Sequence, residues 1–521
     1  MTNPFNISNF NHGSITPVGA SLNGVEIPPS SSLPVIIQGG MGVAVSNWRL
    51  ARAVSQHGQL GVVSGTALDQ VLLRRLQDGD PEGHMRQAFD RFPFPAMAAR
   101  VWQAYFVPGG KPEGKPYKLA PMPLHNARRE WVELCIVANF VEVNLARQQH
   151  NHGVGINYME KLQTCHLASI YGAMLAGVDY ILMGAGIPMK IPAVLDHFAR
   201  NEAATYPLHV AGADPGDEIL MHFNPADYIE GKTPELKRPR FLAIISSSTL
   251  AVTLAKKANG VVDGFVVEGP TAGGHNAPPR GQLQLDDAGE PIYGERDLVD
   301  LGKILGLGRP FWLAGGCGSP DGVRAALKSG ATGVQVGTAF AFCAESGMRD
   351  DYKKEVIGMV LRRAVKVFTD PFASPTGFPF KVASVEGTVS ESGIFRARQR
   401  VCDLGFLREA YRKLDGQIGY RCPAEPVAAY VAKGGAMEKP ELRKCLCNAL
   451  MSIIGHAQTR VGGLLEPGIV TAGDDLASIA QFLKSGCNSY HVSDVLSRLL
   501  RGIDETVRST CAQGDAALTI A

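Results

Sequence analysis

The chain is 521 residues long, about two to four times a typical domain of ~100–200 residues, and a length that a single α/β barrel with insertions also reaches. Hydrophobic residues make up 45% and charged residues 19%, which excludes disorder as the main state. The net charge of +2, from 51 basic and 49 acidic residues, leaves no electrostatic footprint for nucleic acid or for an anionic membrane surface.

The 59 glycines, about 11% against a usual ~7%, cluster at the ends of apolar runs. That placement points to tight turns and to backbone that approaches a ligand closely. Ten cysteines are too few for a disulfide scaffold in a chain of this length. Residues 1–32 are polar and carry no apolar signal core, so they read as an N-terminal arm. No uncharged apolar run reaches the ~18 residues of a membrane span. The expectation is a soluble, cytoplasmic protein.

The first apolar run is Pro34-Val35-Ile36-Ile37-Gln38. A helix is predicted over 47–57, with Asn47 as its N-cap. A second strand follows at 60–63. Residues 67–128 are long for a strand-to-helix connection and read as an insertion over one face. Helical periodicity covers 129–149, a third strand 154–158, a helix 164–176, a fourth strand 180–183 and a helix 191–200. Residues 202–240, rich in Pro, Gly and Asp, read as a second insertion. Strands at 240–245, 264–268, 311–314 and 333–336 complete the set, with helices at 250–258 and 320–329.

Short strands that are apolar throughout and joined by helices imply a parallel sheet buried on both faces. Eight such units over 33–344 predict an α/β fold, a (β/α)8 barrel with two insertions; a doubly wound open sheet is the other fold with this pattern. From 345 to 521 the strand repeat stops, and a mostly helical region is predicted beside the barrel.

In such a barrel the chemistry sits where strands end and loops begin. Three of these loops are glycine-rich: Gln38-Gly39-Gly40-Met41-Gly42, Ala314-Gly315-Gly316-Cys317-Gly318, and Gly337-Thr338. The last two follow the seventh and eighth strands, the usual phosphate position of the barrel, where bare backbone N–H groups cradle an anion without a lysine. After the sixth strand comes Glu268-Gly269-Pro270-Thr271-Ala272-Gly273-Gly274-His275. A histidine there, beside two glycines that let a flat ring approach, is placed for proton transfer.

On these pieces the chain resembles the flavin-dependent nitronate monooxygenases, formerly called 2-nitropropane dioxygenases, and the related flavin-dependent enoyl-ACP reductases. The matching stretches are 34–42, 268–275, 311–318 and 330–340, with 345–377 also fitting through Tyr352-Lys353 and Thr369, so the likeness runs from 33 to about 380. It implies an FMN-binding barrel of the TIM type. Gly39, Gly40 and Met41 would lie along the flavin ring, Asn157 would reach it from the third strand, and Gly273 and Gly274 would flank it. Gly315, Gly316, Gly337 and Thr338 would hold the phosphate, and His275 matches the family's catalytic histidine.

The chain departs from the family pattern in several places. Gly40 replaces the proline that usually precedes the methionine. Pro270-Thr271 replace the acidic residue before Ala-Gly-Gly-His. Asn276-Ala277-Pro278-Pro279 follow His275.

Three functions stay open at this point. The first is an FMN-dependent oxidoreductase that oxidises a nitronate-like, carbanion-forming small molecule with O2. The second is an NAD(P)H-dependent flavin reductase of enoyl thioesters, with an acyl-carrier protein as partner. The third is an inactive barrel serving as an assembly subunit, with the C-terminal region as its interface; a homo-oligomer is open in each case. Cys402, Cys422, Cys445 and Cys447 are spaced Cys-x19-Cys-x22-Cys-x-Cys. Four thiolates can hold zinc or an iron–sulfur cluster, but the spacing leaves both open beside ordinary packing. Cys317 and Cys343 read as small packing residues, and His150 and His152 as surface loop.

Overall fold

The computed structural model describes residues 33–214 and 216–503. The proposed N-terminal arm and the last residues of the C-terminal region lie outside them. Eight parallel strands form one sheet: β1 (Ile36–Gln38), β2 (Gly61–Ser64), β3 (Val154–Met159), β4 (Tyr180–Gly184), β5 (Arg240–Ile245), β6 (Gly264–Glu268), β7 (Phe311–Ala314) and β8 (Gly333–Val336). Their order is β1-β8-β7-β6-β5-β4-β3-β2. Two backbone bonds, Gln38 N to Leu60 O at 2.9 Å and Leu60 N to Ile36 O at 3.1 Å, join β1 to the residue before β2 and close the ring. The fold is therefore the barrel and not the open sheet.

Every strand is buried on both faces, so its apolar run does two jobs. One parity packs against the helices: Ile36, Val63, Ile156, Phe241, Phe265 and Val334 belong to the large outer core. The other parity fills the barrel, where Ile37, Val62, Leu182, Leu242, Val266 and Trp312 form a core of their own. Trp312 is fully buried, and its indole N–H donates to Pro34 O at 2.8 Å, plugging the N-terminal end. Glycine is required where a helix crosses a strand closely: a Cβ on Gly61 would run into the backbone of Ala51.

The predicted helices form, with shifts of a residue or two at their ends. Asn47 caps the helix Trp48–Gln56 by accepting from Leu50 N at 3.0 Å. The insertion at 67–128 is itself helical, with helices Leu68–Gln77, His84–Phe89 and Pro95–Tyr105 packed on Arg129–Ala146. The second insertion holds an antiparallel pair, Ala204–Pro207 with Leu220–Phe223, and a short strand Val210–Ala211.

Among the described residues beyond 344, helices outnumber strands. Asp350–Leu361, Leu446–Ser452 and Val492–Leu499 are α-helical, and Asp474–Phe482 winds as a 3-10 helix. Two hairpins absent from the sequence reading also form there. One joins Val367–Asp370 to Phe380–Ala383, and the other joins Glu409–Arg412 to Ile418–Arg421. The second pairs in parallel with Val210–Ala211, so this region and the second insertion share a sheet. Phe380–Ala383 is buried at all four positions, which erases the alternation that would mark a strand. No helix among the described residues is long and apolar enough to cross a membrane.

Trp312 is the largest side chain inside the barrel ring. Trp312→Ala is expected to destabilise the fold by about 3–5 kcal/mol, the usual cost of removing a fully buried aromatic. Guanidinium denaturation of the two proteins measures it.

Candidate active site

The inward parity of the strands continues upward into the floor of a large cavity. Asn157 of β3, Gly184 of β4, Ile244 of β5, Glu268 of β6, Ala314 of β7 and Gln335 of β8 all line it. The glycine-rich loops form its sides. Its roof comes from the region beyond 344, through Phe380, Phe406, Leu446, Leu450, Ile453 and Thr471. Its free volume is about 250 Å3.

The eleven residues singled out from the sequence all stand on this one wall: Gly39, Gly40, Met41, Asn157, Gly273, Gly274, His275, Gly315, Gly316, Gly337 and Thr338. Gly40 lies hard against Asn157, whose amide donates to Gly40 O at 3.4 Å; a Cβ at Gly40 would run into Asn157 Cβ. Gly274 has φ +81° with open space on its Cβ side, and Gly315 has φ +97°, conformations that favour glycine.

The His275 loop is fixed from above by main-chain bonds. Lys381 N donates to Gly274 O and Asn276 N to Pro379 O, each at 2.9 Å. Gly274 N donates to the Thr471 hydroxyl at 2.9 Å. The imidazole Nε2 is 2.7 Å from Ser374 Oγ, which in turn lies 2.8 Å from Thr376 Oγ1. Phe380 meets the ring edge-on at a centroid distance of 4.9 Å. Burial lowers the imidazole pKa from 6.5 to about 4, so the ring is neutral in the physiological range.

Two acids in this cavity escaped the sequence reading as site residues. Glu268 ends β6, and burial raises its pKa from 4.5 to about 8. The signal was available: on a strand with Val266 facing in, Glu268 must face in as well. Asp475 arrives from the far end of the chain and had no local signal. Its carboxylate meets the Thr338 hydroxyl and Gly318 N–H, and burial pushes its pKa up despite them. Thr338 Oγ1 also accepts from Gly473 N at 2.9 Å. Cys317 and Cys343 are buried, as expected, although Cys317 also touches the cavity.

Three polar atoms on the wall are buried without a partner: Asn157 Oδ1, Gln335 Oε1 and Thr271 Oγ1. Orphaned polar atoms cost stability unless a ligand meets them. The Thr271 hydroxyl faces the Gly315–Gly316 turn.

Residues 223–370 match the family model described as nitronate monooxygenase. This stretch is nitronate monooxygenase-like, and it carries His275, both phosphate-type loops and Glu268. Among curated proteins, the nitronate monooxygenase of Pseudomonas aeruginosa is 36% identical over 191 residues, covering 37% of this chain and 48% of that protein. The nitronate monooxygenase of Paraburkholderia phytofirmans is 35% identical over 183 residues, covering 34% and 46%. The chain thus spans about half the length, or less, of the curated relatives it matches. Among solved structures, FabK from Thermotoga maritima has a TM-score of 0.46 at 16% identity, covering 92% of this chain and 96% of that one. Nitroalkane oxidase from Streptomyces ansochromogenes has a TM-score of 0.45 at 16% identity, with 92% and 97% covered. The first-strand loop, Asn157 and the whole roof fall outside the matched nitronate monooxygenase segment.

The two shifted groups make opposite contributions to stability. His275 has a lowered pKa in the fold, so its contribution is full above about 6.5 and is lost as pH falls through about 4. Glu268 has a raised one, so its contribution is full below about 4.5 and is lost as pH rises through about 8. Denaturation of the parent and of Glu268→Gln between about pH 5 and pH 8 should show the parent losing stability relative to the variant. Parallel profiles would show that Glu268 is ionised throughout.

Proposed function

We propose that the chain is an FMN-dependent oxidoreductase acting on a small carbanion-forming substrate of the nitronate type. The observation that carries the reading is the convergence of the His275 loop and two phosphate-type glycine loops on one cavity, inside the nitronate monooxygenase-like segment. The wall fits the cofactor. Bare glycine backbone lines its sides, and the unpartnered oxygens of Asn157, Gln335 and Thr271 offer hydrogen bonds to the polar edge of a flavin ring. Gly315, Gly316, Gly337 and Thr338 would hold the phosphate. Asp475 lies beside Thr338, and burial pushes its carboxyl pKa up, which lessens its repulsion of a phosphate there.

Flavin mononucleotide, when bound, supplies two-electron redox chemistry at its ring. The chain's own part is proton management. A neutral His275 can accept the α-proton of a substrate that arrives as the carbon acid, or orient one that arrives as the nitronate, and its bond to Ser374 holds the imidazole in place. The apolar roof limits the access of water to the reacting carbon.

A second reading, reduction of an enoyl thioester, is favoured by two specific observations. Glu268 is a carboxylic acid at neutral pH and so a proton donor. The roof of Phe406, Leu446, Leu450 and Ile453 suits an acyl chain. NAD(P)H as donor and an acyl-carrier protein as partner belong to this reading; a cytoplasmic site of action is proposed for both.

Visible absorption of the purified protein, followed by anaerobic addition of NADH, NADPH or an alkyl nitronate, separates the readings. Flavin bands that bleach with the nitronate alone support the first, and bands that bleach with NAD(P)H support the second. No flavin bands after FMN is supplied would sink both.

His275→Ala is expected to keep FMN and to lose ~10²-fold or more in turnover, the scale of lost acid–base catalysis. Unchanged turnover would remove the assigned role. Glu268→Gln should spare nitronate oxidation and depress enoyl reduction, measured with each substrate in turn.

A further inference from the structure

A second, much smaller cavity lies behind the roof of the first. Cys402, Cys422, Cys445 and Cys447 line it together with Leu404 and Asn448. Stretches far apart in the chain bring the thiols there. Cys402 follows the helix Ser392–Ala397, and Cys422 follows the strand Ile418–Arg421. Cys445 precedes the helix Leu446–Ser452, and Cys447 lies in its first turn. All four are free thiols.

Polar main-chain groups reach three of the four sulfurs, and the Cys402 and Cys422 thiols hydrogen-bond each other. Main-chain N–H groups point at the sulfurs: Ala424 at Cys422, Asn448 at Cys445, and Phe406 and Leu407 at Cys447. The Asn448 amide also donates to Cys445 Sγ at 3.6 Å. Hydrogen bonds to cysteine sulfur are a feature of iron–sulfur sites, where they tune the cluster. Asn448 Oδ1 is buried and has no partner.

Two guanidinium groups face the set without a carboxylate partner among the described residues. Arg400 is tied to carbonyls, including Pro423 O at 3.1 Å, and its charge acts on Cys422 and Cys445. Arg408 is tied to Gly405 O at 3.0 Å and Pro123 O at 2.8 Å, and its charge acts on Cys402. Asp403 and Glu425 also lie near Cys402 but are held by Arg460 and Lys433, so a negatively charged group at the centre of the set would give Arg400 and Arg408 a counter-charge.

A single zinc ion needs its four sulfurs ~2.3 Å from one point. Among the described residues no three His, Cys, Asp or Glu side chains converge on one ion. A cluster of several irons spaces its cysteine sulfurs more widely and carries net negative charge when bound by four thiolates. We propose that Cys402, Cys422, Cys445 and Cys447 ligate an iron–sulfur cluster of the four-iron, four-sulfur type, with Arg400 and Arg408 balancing its charge. Leu407, Leu446 and Cys447 line both cavities, so the cluster sits one residue behind the wall of the candidate active site.

The full chain is purified without oxygen and reconstituted with ferrous iron and sulfide. About four iron and four acid-labile sulfide per chain are expected, with broad charge-transfer absorption and a paramagnetic signal on dithionite reduction. Cys422→Ser and Cys447→Ser should each lose most of the iron and sulfide. Cys487→Ser, at an exposed position outside the set, should keep both. Folded wild-type protein that takes up no iron and sulfide overturns the proposal, and so does stoichiometric zinc without sulfide. FMN is extracted and counted separately, so failure of the flavin reading leaves this result standing.

Discussion

The candidate site depends on how the chain beyond residue 344 is stitched to the loop after β6. Three contacts carry it: Lys381 N to Gly274 O, Asn276 N to Pro379 O, and Gly274 N to the Thr471 hydroxyl. A fourth, Asp474 N to Thr271 O at 3.1 Å, ties the same loop to the helix that brings Asp475. Gly273 shows how tight the seam is, since a Cβ there would stand 2.8 Å from the backbone of Ala472. The barrel alone would leave the glycine loops open to water. With the seam in place, the same loops become the sides of a partly covered cavity, and His275 gains its Ser374 partner.

That closure explains why two groups of opposite type end in the same charge state. Burial disfavours whichever form is ionised. It therefore pushes the His275 pKa down to about 4 and the Glu268 pKa up to about 8, and both side chains are neutral at neutral pH. One becomes an acceptor of protons and the other a donor, although neither has an ion-pair partner to set its state. Environment divides the acid and base roles here. The orphaned oxygens of Asn157, Gln335 and Thr271 add hydrogen-bonding capacity without adding charge.

The barrel was legible because its strands are apolar at every position and regularly spaced by helices, a pattern with few other solutions. The glycine loops and His275 were legible because a strand end followed by Gly-Gly has a fixed place in that barrel. Glu268 was within reach by parity alone. Asp475, Ser374 and Phe380 were not: Phe380 begins a strand buried at every position and so without a period, and Ser374 and Asp475 lie outside strands, in a bend and a 3-10 helix. Their partners lie about 100 to 200 residues away in sequence, as with His275 and Ser374 or Thr338 and Gly473. The cysteine spacing was visible from the start, but only the fold shows that Cys402 and Cys422 meet Cys445 and Cys447 around one cavity.

A buried ionic network links that cavity to the barrel's first insertion. Arg398 and Arg460 both hold Glu466, and Arg460 also holds Asp403 at 2.6 Å. Although burial opposes it, the bonds from Arg460 and Asn448 keep the Asp403 carboxyl below its ordinary pKa. Arg74, fully buried in the helix Leu68–Gln77, donates to His456 O and anchors the other end. Buried ion networks add little net stability against an apolar core, because desolvation offsets their attraction. What this one fixes is position. Asp403 adjoins Cys402 in sequence and accepts from Asn448, which adjoins Cys447, at 2.6 Å. The insertion, the network and the cysteine set are thus held in one register with the roof of the cavity. This gives a physical reason for an elaborated barrel to carry a C-terminal region that closes over its mouth.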